Sequence, residues 1–202
     1  MCTNNILLGM GLQEDYLNLS DHVAYFWESD REFKKAVGFL EVGLRANDHC
    51  VIFGYQDAND RVLQVLRELG FEPRQLMESG RLSVLMASAT CDETLADIGA
   101  TFQKAIADGA PLIRLLGNIG WNRPKWPEEE DLLAFESRVT DAARQFPCVV
   151  ICMYDIRALA GQVVIRGGLE CHPVTIRGNV TRINPHYVAV EEFLESQRKR
   201  IS

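Results

Sequence analysis

Short apolar runs alternate along the chain with longer segments in which apolar residues recur every three or four positions. The apolar runs lie in the first half of 21–33 and in 48–55, 81–86, 111–116 and 148–153. Continuous runs of this length are typical of strands buried on both faces of a parallel sheet, and the longer segments are typical of amphipathic helices. Strand and helix alternate about five times, which predicts an α/β fold, a three-layer sandwich with a mostly parallel central sheet.

Helix signals stand between the predicted strands. Ser29 with Glu32, and Thr90 with Glu93, have the Ser/Thr-x-x-Glu spacing of a capping box. The predicted helices are one from Ser29, then 57–69, 91–109, 127–145, a short one ending near 166, and 190–200. Near the C-terminus, 173–176 and 180–183 are predicted as antiparallel edge strands. The runs 112–116 and 149–153 are the most continuously apolar, so the strand around Arg114 is predicted at or near the sheet centre.

Two charged residues occupy positions where the pattern expects apolar ones. Arg114 interrupts an apolar strand, and Glu136 shares a helical stripe with Leu132 and Val139. A buried charge is costly unless it is paired, so the simplest prediction is a buried ion pair between Arg114 and Glu136. The sequence leaves open whether this pair is structural or binds a ligand.

The turn after the first strand gathers His22, Tyr25, Trp27, Glu28 and Ser29. In a parallel sheet this turn lies at the carboxyl edge of the strands, where ligands of α/β folds usually bind. A nucleotide-binding protein would have glycines and a lysine there. A carboxylate at Glu28 would repel phosphate, which argues against a magnesium nucleotide held by a P-loop.

Further candidates come from the ends of two later strands. Tyr154 and Asp155 close one strand, and Trp121 lies in the loop 118–127, which is long enough to fold over the sheet edge as a lid. We therefore predict that Trp27, Glu28, Trp121, Tyr154 and Asp155 line the mouth of a pocket. Aromatic rings over clustered acids suit a small ligand with apolar bulk and a donor or cationic group.

Composition narrows the class of protein. The chain has 202 residues, 47% of them hydrophobic, and a net charge of −7, which fits a single globular domain and argues against a general nucleic-acid or anionic-membrane surface. No signal peptide or membrane span is expected. The six cysteines lack CxxC spacing and are expected to be free thiols of a cytoplasmic protein. Cys148 and Cys152 near Cys171–His172 do not have the spacing of a closed metal site, so neither a metal nor a cofactor is expected.

Several short motifs in order resemble one family, the MEDS domain, or methanogen/methylotroph DcmR sensory domain. They are Tyr25-Phe-x-Glu-Ser-Asp-x-Glu-Phe33 after His22, Arg114–Gly117 with Trp121, Phe135–Arg138, Cys152-x-Tyr154-Asp155, His172-Pro173 and Asn184-Pro185-x-Tyr187. The resemblance extends from about Asp21 to Leu194. It implies an N-terminal extension at 1–20 and a single sensory domain at 21–202. Members occur in regulators of one-carbon and halocarbon metabolism, often joined to DNA-binding or kinase modules; no such module is expected here, nor direct nucleic-acid binding.

The chain also resembles, more distantly, the RecA-like circadian-clock ATPases in degenerate form. Trp27-Glu28-Ser29 stands where those proteins have a P-loop, and Gly54-Tyr55-Gln56 stands where they have catalytic glutamates. Their magnesium-binding acid ends the fourth strand, and this chain has Leu115-Leu116-Gly117 at that point. The resemblance implies a RecA-like fold without a P-loop, and neither ATP hydrolysis nor tight ATP binding is expected.

The sequence therefore favours a cytoplasmic sensory module rather than an enzyme. It would bind a small molecule at the carboxyl edge and regulate a signalling protein in trans, in transcriptional or kinase signalling. The alternatives are a nucleotide-binding RecA-like protein without hydrolysis and a ligand-free interaction scaffold. The ligand, the partner and the formation of a homodimer are left open. The predicted ligand-binding residues are His22, Tyr25, Trp27, Glu28, Ser29, Arg114, Trp121, Glu136, Tyr154 and Asp155.

Overall fold

A single sheet organises the chain. The computed structural model describes Met10, Leu12 and residues 17–201. In that part of the chain the strands are β1 (His22–Trp27), β2 (His49–Gly54), β3 (Leu82–Leu85), β4 (Ile113–Asn118), β5 (Cys148–Asp155), β6 (Val174–Arg177) and β7 (Val180–Ile183). They form a seven-stranded sheet in the order β3-β2-β4-β5-β1-β6-β7, parallel except for β7. The predicted mostly parallel sheet is confirmed, and β4 and β5 lie in its interior as predicted.

Helices cover both faces of the sheet. They are α1 (Asp30–Ala46), α2 (Gln56–Glu68), α3 (Pro73–Glu78), α4 (Cys91–Ala107), α5 (Glu129–Ala143), α6 (Gly161–Val163) and α7 (Val190–Ile201), with a π-helix (Val164–Glu170) continuing directly from α6. One core lies between the sheet and α1 with α2, and the other lies between the sheet and α4, α5 and α7. The three-layer sandwich is therefore confirmed. Among the described helices, none combines the length and apolar character that crossing a membrane requires.

Alternation along the central strands divides their side chains between the two cores. In β4, Leu115 and its neighbour in register, Val150 of β5, face α4 and α5. Arg114 and its neighbour Val149 face the opposite way, toward α1. This follows from the period of two in a strand, where successive side chains point to opposite faces. A residue's position in these strands thus decides which of the two cores it joins.

Part of the predicted N-terminal extension belongs to the α1-side core. Met10, Leu12 and Leu17 are buried there. The rest of that prediction, apart from residues 18–20, falls outside the described residues. The buried positions indicate that the α1-side core draws on residues preceding β1.

Local sequence signals placed most helices correctly, with small differences. The Ser29 side chain caps α1 by accepting from the Glu32 amide, and Thr90 with Glu93 forms the predicted capping box of α4. Helix α2 begins after Tyr55 rather than at Asp57, because the extended backbone of Tyr55 already supplies the cap position. The six residues of α3 were not predicted, since so short a helix shows less than two turns of pattern.

Candidate functional site

The predicted ion pair between Arg114 and Glu136 is wrong, because the two residues lie on opposite faces of the sheet. Arg114 Nε donates to Asp48 Oδ2 at 2.7 Å and its Nη1 donates to the carbonyl of Phe39 at 3.2 Å. Its side chain crosses Gly43 of α1, where a Cβ atom would lie 2.4 Å from Arg114 Cδ. The sequence indicated correctly that both charges are buried, but it did not fix which face each one occupies.

Glu136 lies in a buried polar cluster on the other face, which we call the Glu136 cluster: His22, Glu136, Cys152, Tyr154 and His172. Its Oε1 accepts a hydrogen bond from the Tyr154 hydroxyl at 2.8 Å. Its Oε2 lies 3.4 Å from His22 Nε2, 3.7 Å from His172 Nε2 and 3.5 Å from Cys152 Sγ. The two imidazole rings face each other with centroids 3.8 Å apart. One carboxylate oxygen is thus shared by three buried side chains.

The hydrogen bonds at the far side of each imidazole fix its tautomer. His172 Nδ1 lies 2.9 Å from the carbonyl of Gly167, which can only accept, so Nδ1 carries the proton. His22 Nδ1 lies 3.0 Å from Thr140 Oγ1, whose hydroxyl donates to the carbonyl of Cys171 at 3.1 Å. Thr140 therefore accepts from His22. Both Nε2 atoms then present lone pairs toward Glu136 and Cys152.

Burial controls the protonation of the cluster. It lowers the pKa of His22 and of His172 to about 3, so both rings are neutral near neutral pH. It raises the pKa of the Glu136 carboxyl, against the opposing effects of His172 and of the Tyr154 hydrogen bond. Burial likewise raises the pKa of the Cys152 thiol well above its usual value, with Glu136 adding to the effect. Cys152 is therefore a protonated thiol at neutral pH, which does not suit a nucleophile.

Elements distant in sequence bring the cluster together. Cys152 and Tyr154 lie two positions apart in β5 and so point to the same face, beside β1, which begins at His22. Glu136 and Thr140 lie one turn apart on the buried side of α5. The π-helix supplies the Gly167 carbonyl that holds His172, and π-helical turns are frequent at functional sites.

A cleft of about 460 Å³ opens at the carboxyl edge of the sheet, as predicted for this fold class. Trp27, Trp121 and Asp155 line it, which are three of the five residues predicted at its mouth. The loop after β4 forms one wall, and the guanidinium of Arg123 stacks over the Tyr55 ring at 3.6 Å. We call this space the carboxyl-edge cleft.

Other predicted site residues have structural contacts instead. Tyr25 is buried in the α1-side core and donates to the carbonyl of Glu32, while Ser29 caps α1. Glu28 is half-exposed and pairs with Arg177 at 3.1 Å. Tyr154 is fully buried beneath the cleft, where it belongs to the Glu136 cluster. None of these four side chains lines the carboxyl-edge cleft.

Unpaired polar atoms occur both in the carboxyl-edge cleft and in the Glu136 cluster. Asn118 and Trp121 line the cleft and are buried, yet Asn118 Nδ2 and Trp121 Nε1 have no hydrogen-bond partner in the described part of the chain. In the Glu136 cluster, His172 Nε2 is likewise without a hydrogen-bond partner among the described residues. Buried polar groups are usually satisfied, so each of these atoms calls for a partner such as a water, an ion or a ligand.

A second, apolar cavity lies between α4 and α5. It has a volume of about 290 Å³ and is lined mainly by aliphatic and aromatic side chains, with Phe53 and Phe135 among them, and also by Gly99. Cys152 also lines it, so the sulfur that contacts Glu136 lies at the boundary between the Glu136 cluster and this cavity. We call it the α4–α5 cavity.

Sequence reasoning identified His22, Glu136 and Tyr154 as site residues and missed Cys152 and His172. Cys152 was expected to be a free thiol, and a metal site formed by Cys148 and Cys152 with Cys171–His172 was set aside, because the site was sought through local spacing. The signal that could have found them is the placement of His22, Cys152 and Tyr154 on neighbouring buried strands. The four groups His22, Glu136, Cys152 and His172 place one potential ligand atom each within 4.8 Å of one another.

Comparison with known proteins agrees with the motifs. The family model described as "MEDS: MEthanogen/methylotroph, DcmR Sensory domain" matches residues 21–173. The chain belongs to the MEDS family. The chain is similar to the transcriptional repressor DcmR of Methylorubrum extorquens, at 25% identity over 159 residues. The matched region covers 78% of this chain and 60% of the repressor, so it is similar to part of that protein. A sensory or regulatory role follows for this MEDS domain.

Proposed function

We propose that this MEDS domain binds a small molecule in the carboxyl-edge cleft and passes the bound state to a signalling partner. The observation that carries the proposal is that two residues lining the cleft, Asn118 and Trp121, each have a buried donor, Nδ2 and Nε1, without a partner in the described residues. A ligand with hydrogen-bond acceptors would satisfy them, and leaving them unsatisfied costs about 1–3 kcal/mol each.

The charges around the cleft favour an acceptor over a cation. Asp155 is held by Arg157, whose Nη2 lies 3.1 Å from Asp155 Oδ2. Arg123 lines one wall, Arg61, which pairs with Asp30 at 2.6 Å, lines another, and Trp27 with Trp121 supplies the apolar surface. A donor or cationic ligand was expected from the acids alone. With Asp155 engaged by Arg157 and the Arg123 guanidinium on the cleft wall, we propose a small carboxylate or carbonyl compound with a planar or apolar body.

Contacts from the cleft suggest a route to a partner. Trp27, in the cleft, ends β1, and the next residue, Glu28, pairs with Arg177 of β6. Beyond β6 lies β7, the outer strand of the described sheet, where Val180 and Ile183 are exposed. An exposed strand edge with apolar side chains is suited to protein association. Given the relative's name, we propose that a protein of transcriptional signalling binds this edge. The alternatives are a kinase signalling protein and a second copy of the chain.

The proposal includes neither catalysis nor nucleotide binding. The turn after β1 has Trp27-Glu28-Ser29 in place of a phosphate-binding loop, and the buried thiol of Cys152 is protonated. We expect no stabilisation by magnesium ATP. Calorimetry that detected magnesium-dependent ATP binding at micromolar concentration would favour the nucleotide-binding alternative instead.

The α4–α5 cavity supports a second candidate site. Its lining is largely apolar, and a cavity of about 290 Å³ would hold a small apolar molecule without hydrogen-bonding groups. Such a ligand would contact Cys152, whereas a ligand of the carboxyl-edge cleft would contact Asn118. The two sites therefore predict ligands of different chemistry.

Thermal shift assays with two variants distinguish the sites. The wild-type chain would be screened against small carboxylates, carbonyl compounds and small apolar compounds, because a ligand of the native state raises the melting temperature. If the cleft binds the ligand, Asn118→Leu removes the shift and Gly99→Leu, which fills the cavity, keeps it. If the α4–α5 cavity binds the ligand, Gly99→Leu removes the shift and Asn118→Leu keeps it. A panel that shifts no melting temperature would favour the ligand-free scaffold.

A further inference from the structure

We propose that the Glu136 cluster is a four-coordinate centre for a divalent transition metal ion, with zinc as the first candidate. The ligands would be His22 Nε2, His172 Nε2, Glu136 Oε2 and Cys152 Sγ. All four side chains are buried on the same face of the sheet, and their ligand atoms lie within 4.8 Å of one another.

Four of the six ligand-to-ligand distances are close to the edges of a coordination tetrahedron, and the other two are at most 4.8 Å. Zinc bound to nitrogen or oxygen at about 2.0–2.2 Å and to sulfur at about 2.3 Å implies ligand-to-ligand distances of roughly 3.3–3.6 Å. His22 Nε2 lies 3.3 Å from Cys152 Sγ and 3.4 Å from Glu136 Oε2. Glu136 Oε2 lies 3.5 Å from Cys152 Sγ and 3.7 Å from His172 Nε2. Small side-chain movements would therefore close the site around an ion.

The surrounding hydrogen bonds hold the ligands in the form a metal requires. Both imidazoles carry their proton on Nδ1, where Thr140 and the Gly167 carbonyl accept it, and both leave Nε2 free to bind. The Tyr154 hydroxyl donates to the other oxygen of Glu136. Metal-binding histidines and carboxylates usually have such outer partners, which fix the ring orientation and the tautomer.

A purely hydrogen-bonded cluster leaves one buried nitrogen without a partner among the described residues. His172 Nε2 is fully buried and aimed at Glu136, yet it has no hydrogen-bond partner among the described residues. The Cys152 thiol can donate to His22 Nε2 at 3.3 Å, but His172 Nε2 lies 3.7 Å from Glu136 Oε2 and is left unsatisfied. A metal ion would engage all the lone pairs at once.

The donor set selects the class of metal. Two imidazoles, one thiolate and one carboxylate suit zinc and neighbouring first-row ions, whereas calcium and magnesium prefer oxygen ligands throughout. Four protein ligands also resemble a closed structural site rather than a catalytic one with an open position. Binding displaces the proton of the Cys152 thiol, together with any proton on Glu136, into solvent, so both ligands become anionic as the ion enters.

The position of Cys152 connects the proposed centre with the α4–α5 cavity. Its side chain lines the α4–α5 cavity on one side and contacts Glu136 on the other. A small molecule in that cavity would lie against a metal-bound sulfur. The metal proposal does not depend on ligand binding in the carboxyl-edge cleft, whose test uses Asn118.

Cobalt(II) titration of the full chain tests the centre. Protein freed of metal by a chelator and kept reduced would be titrated with cobalt(II) and then with zinc(II). We expect one equivalent of cobalt, the visible spectrum of tetrahedral cobalt, a thiolate-to-cobalt charge-transfer band in the near ultraviolet, and displacement by zinc. Cys152→Ser should remove the charge-transfer band, and Glu136→Gln and His172→Gln should remove stoichiometric binding.

Two further variants control for indirect effects. Thr140→Val, which removes the acceptor of His22 and the donor to the Cys171 carbonyl, should weaken binding by about 10- to 100-fold. Cys148→Ser changes another buried thiol of β5 outside the cluster and should leave the spectrum unchanged. The proposal is overturned if the folded wild-type chain binds no stoichiometric cobalt, or if the charge-transfer band survives Cys152→Ser. Neither result would affect the Asn118-dependent test of the cleft.

Discussion

The two faces of the sheet each bury a charged residue, and they surround it differently. On the α1 face, Arg114 has a carboxylate partner, Asp48, at 2.7 Å. On the α5 face, Glu136 contacts two neutral histidines, a tyrosine and a thiol. The first arrangement is a closed ion pair, and the second lacks a permanent positive charge among the described residues.

This difference separates scaffold from site. A buried charge that is paired with its counter-ion needs no further ligand, although such a pair adds little net stability compared with apolar residues. A buried carboxyl with lone pairs of imidazole around it is stable only when protonated or when a cation enters. The α5 face is therefore the one on which binding of an ion changes the energetics.

Removing one partner of the ion pair gives the largest expected effect. Arg114→Met or Asp48→Leu alone leaves an uncompensated buried charge and should lower the free energy of unfolding by about 3–5 kcal/mol. The double variant removes both charges and should lose much less. Urea denaturation of the single and double variants measures the coupling. Single losses that simply added in the double variant would show that Arg114 and Asp48 are not energetic partners.

Acidification should lower the free energy of unfolding through the two buried histidines of the α5 face. The folded pKa of about 3 for His22 and His172 lies below the unfolded value of 6.5, so between these values the unfolded chain binds more protons. The free energy of unfolding therefore falls as the pH falls from 6.5 toward 3, by roughly 2 kcal/mol per histidine at pH 5. The raised pKa of Glu136 acts in the opposite direction and offsets part of this loss.

Histidine variants measure how much a single buried histidine contributes to this pH dependence of stability. In metal-free protein, the loss of stability between pH 7 and pH 5 should be about 2 kcal/mol smaller for His22→Gln than for the wild type. His186→Gln, at an exposed histidine, serves as the control and should keep the wild-type pH dependence. An unchanged pH dependence in His22→Gln would mean that His22 is not held neutral by burial.

Two helix glycines give the smallest and most local test of the comparison. At Gly43, a Cβ atom would lie 2.4 Å from Arg114 Cδ, so Gly43→Ala should cost about 1–3 kcal/mol by displacing a held side chain. At Gly99, beside the α4–α5 cavity, a Cβ atom meets nothing within 4 Å. Gly99→Ala should therefore stabilise the chain by about 0.5–1 kcal/mol. Equal effects in thermal melts would contradict the difference in packing.

The sequence predicted the fold well because hydrophobic periodicity decides it. The continuous apolar runs around Arg114 and Val149 placed β4 and β5 inside the sheet, and the capping boxes at Ser29 and Thr90 placed the starts of α1 and α4. The cleft edge was also predictable, because parallel strands end on the same side.

The arrangement of the site was only partly predictable. The helical stripe turned Glu136 inward correctly, but its partners come from β1, β5 and the segment after the π-helix, which are far apart in sequence. Arg114 was assigned the wrong partner because the pattern shows burial without showing the face of the sheet. His172 could not be placed, since its position depends on a π-helix that has no distinct sequence period.

The central claim, that the α5 face holds a metal centre and the α1 face a scaffold ion pair, is tested most directly by zinc-induced thermal shifts. Metal-free wild type, Glu136→Gln and the Arg114→Met/Asp48→Leu double variant would be melted with and without zinc at about 100 times its Kd for the wild type. We predict a rise of roughly 5–10 °C for the wild type and for the double variant, and none for Glu136→Gln. Equal rises in wild type and Glu136→Gln, or no rise in the wild type, would contradict the account.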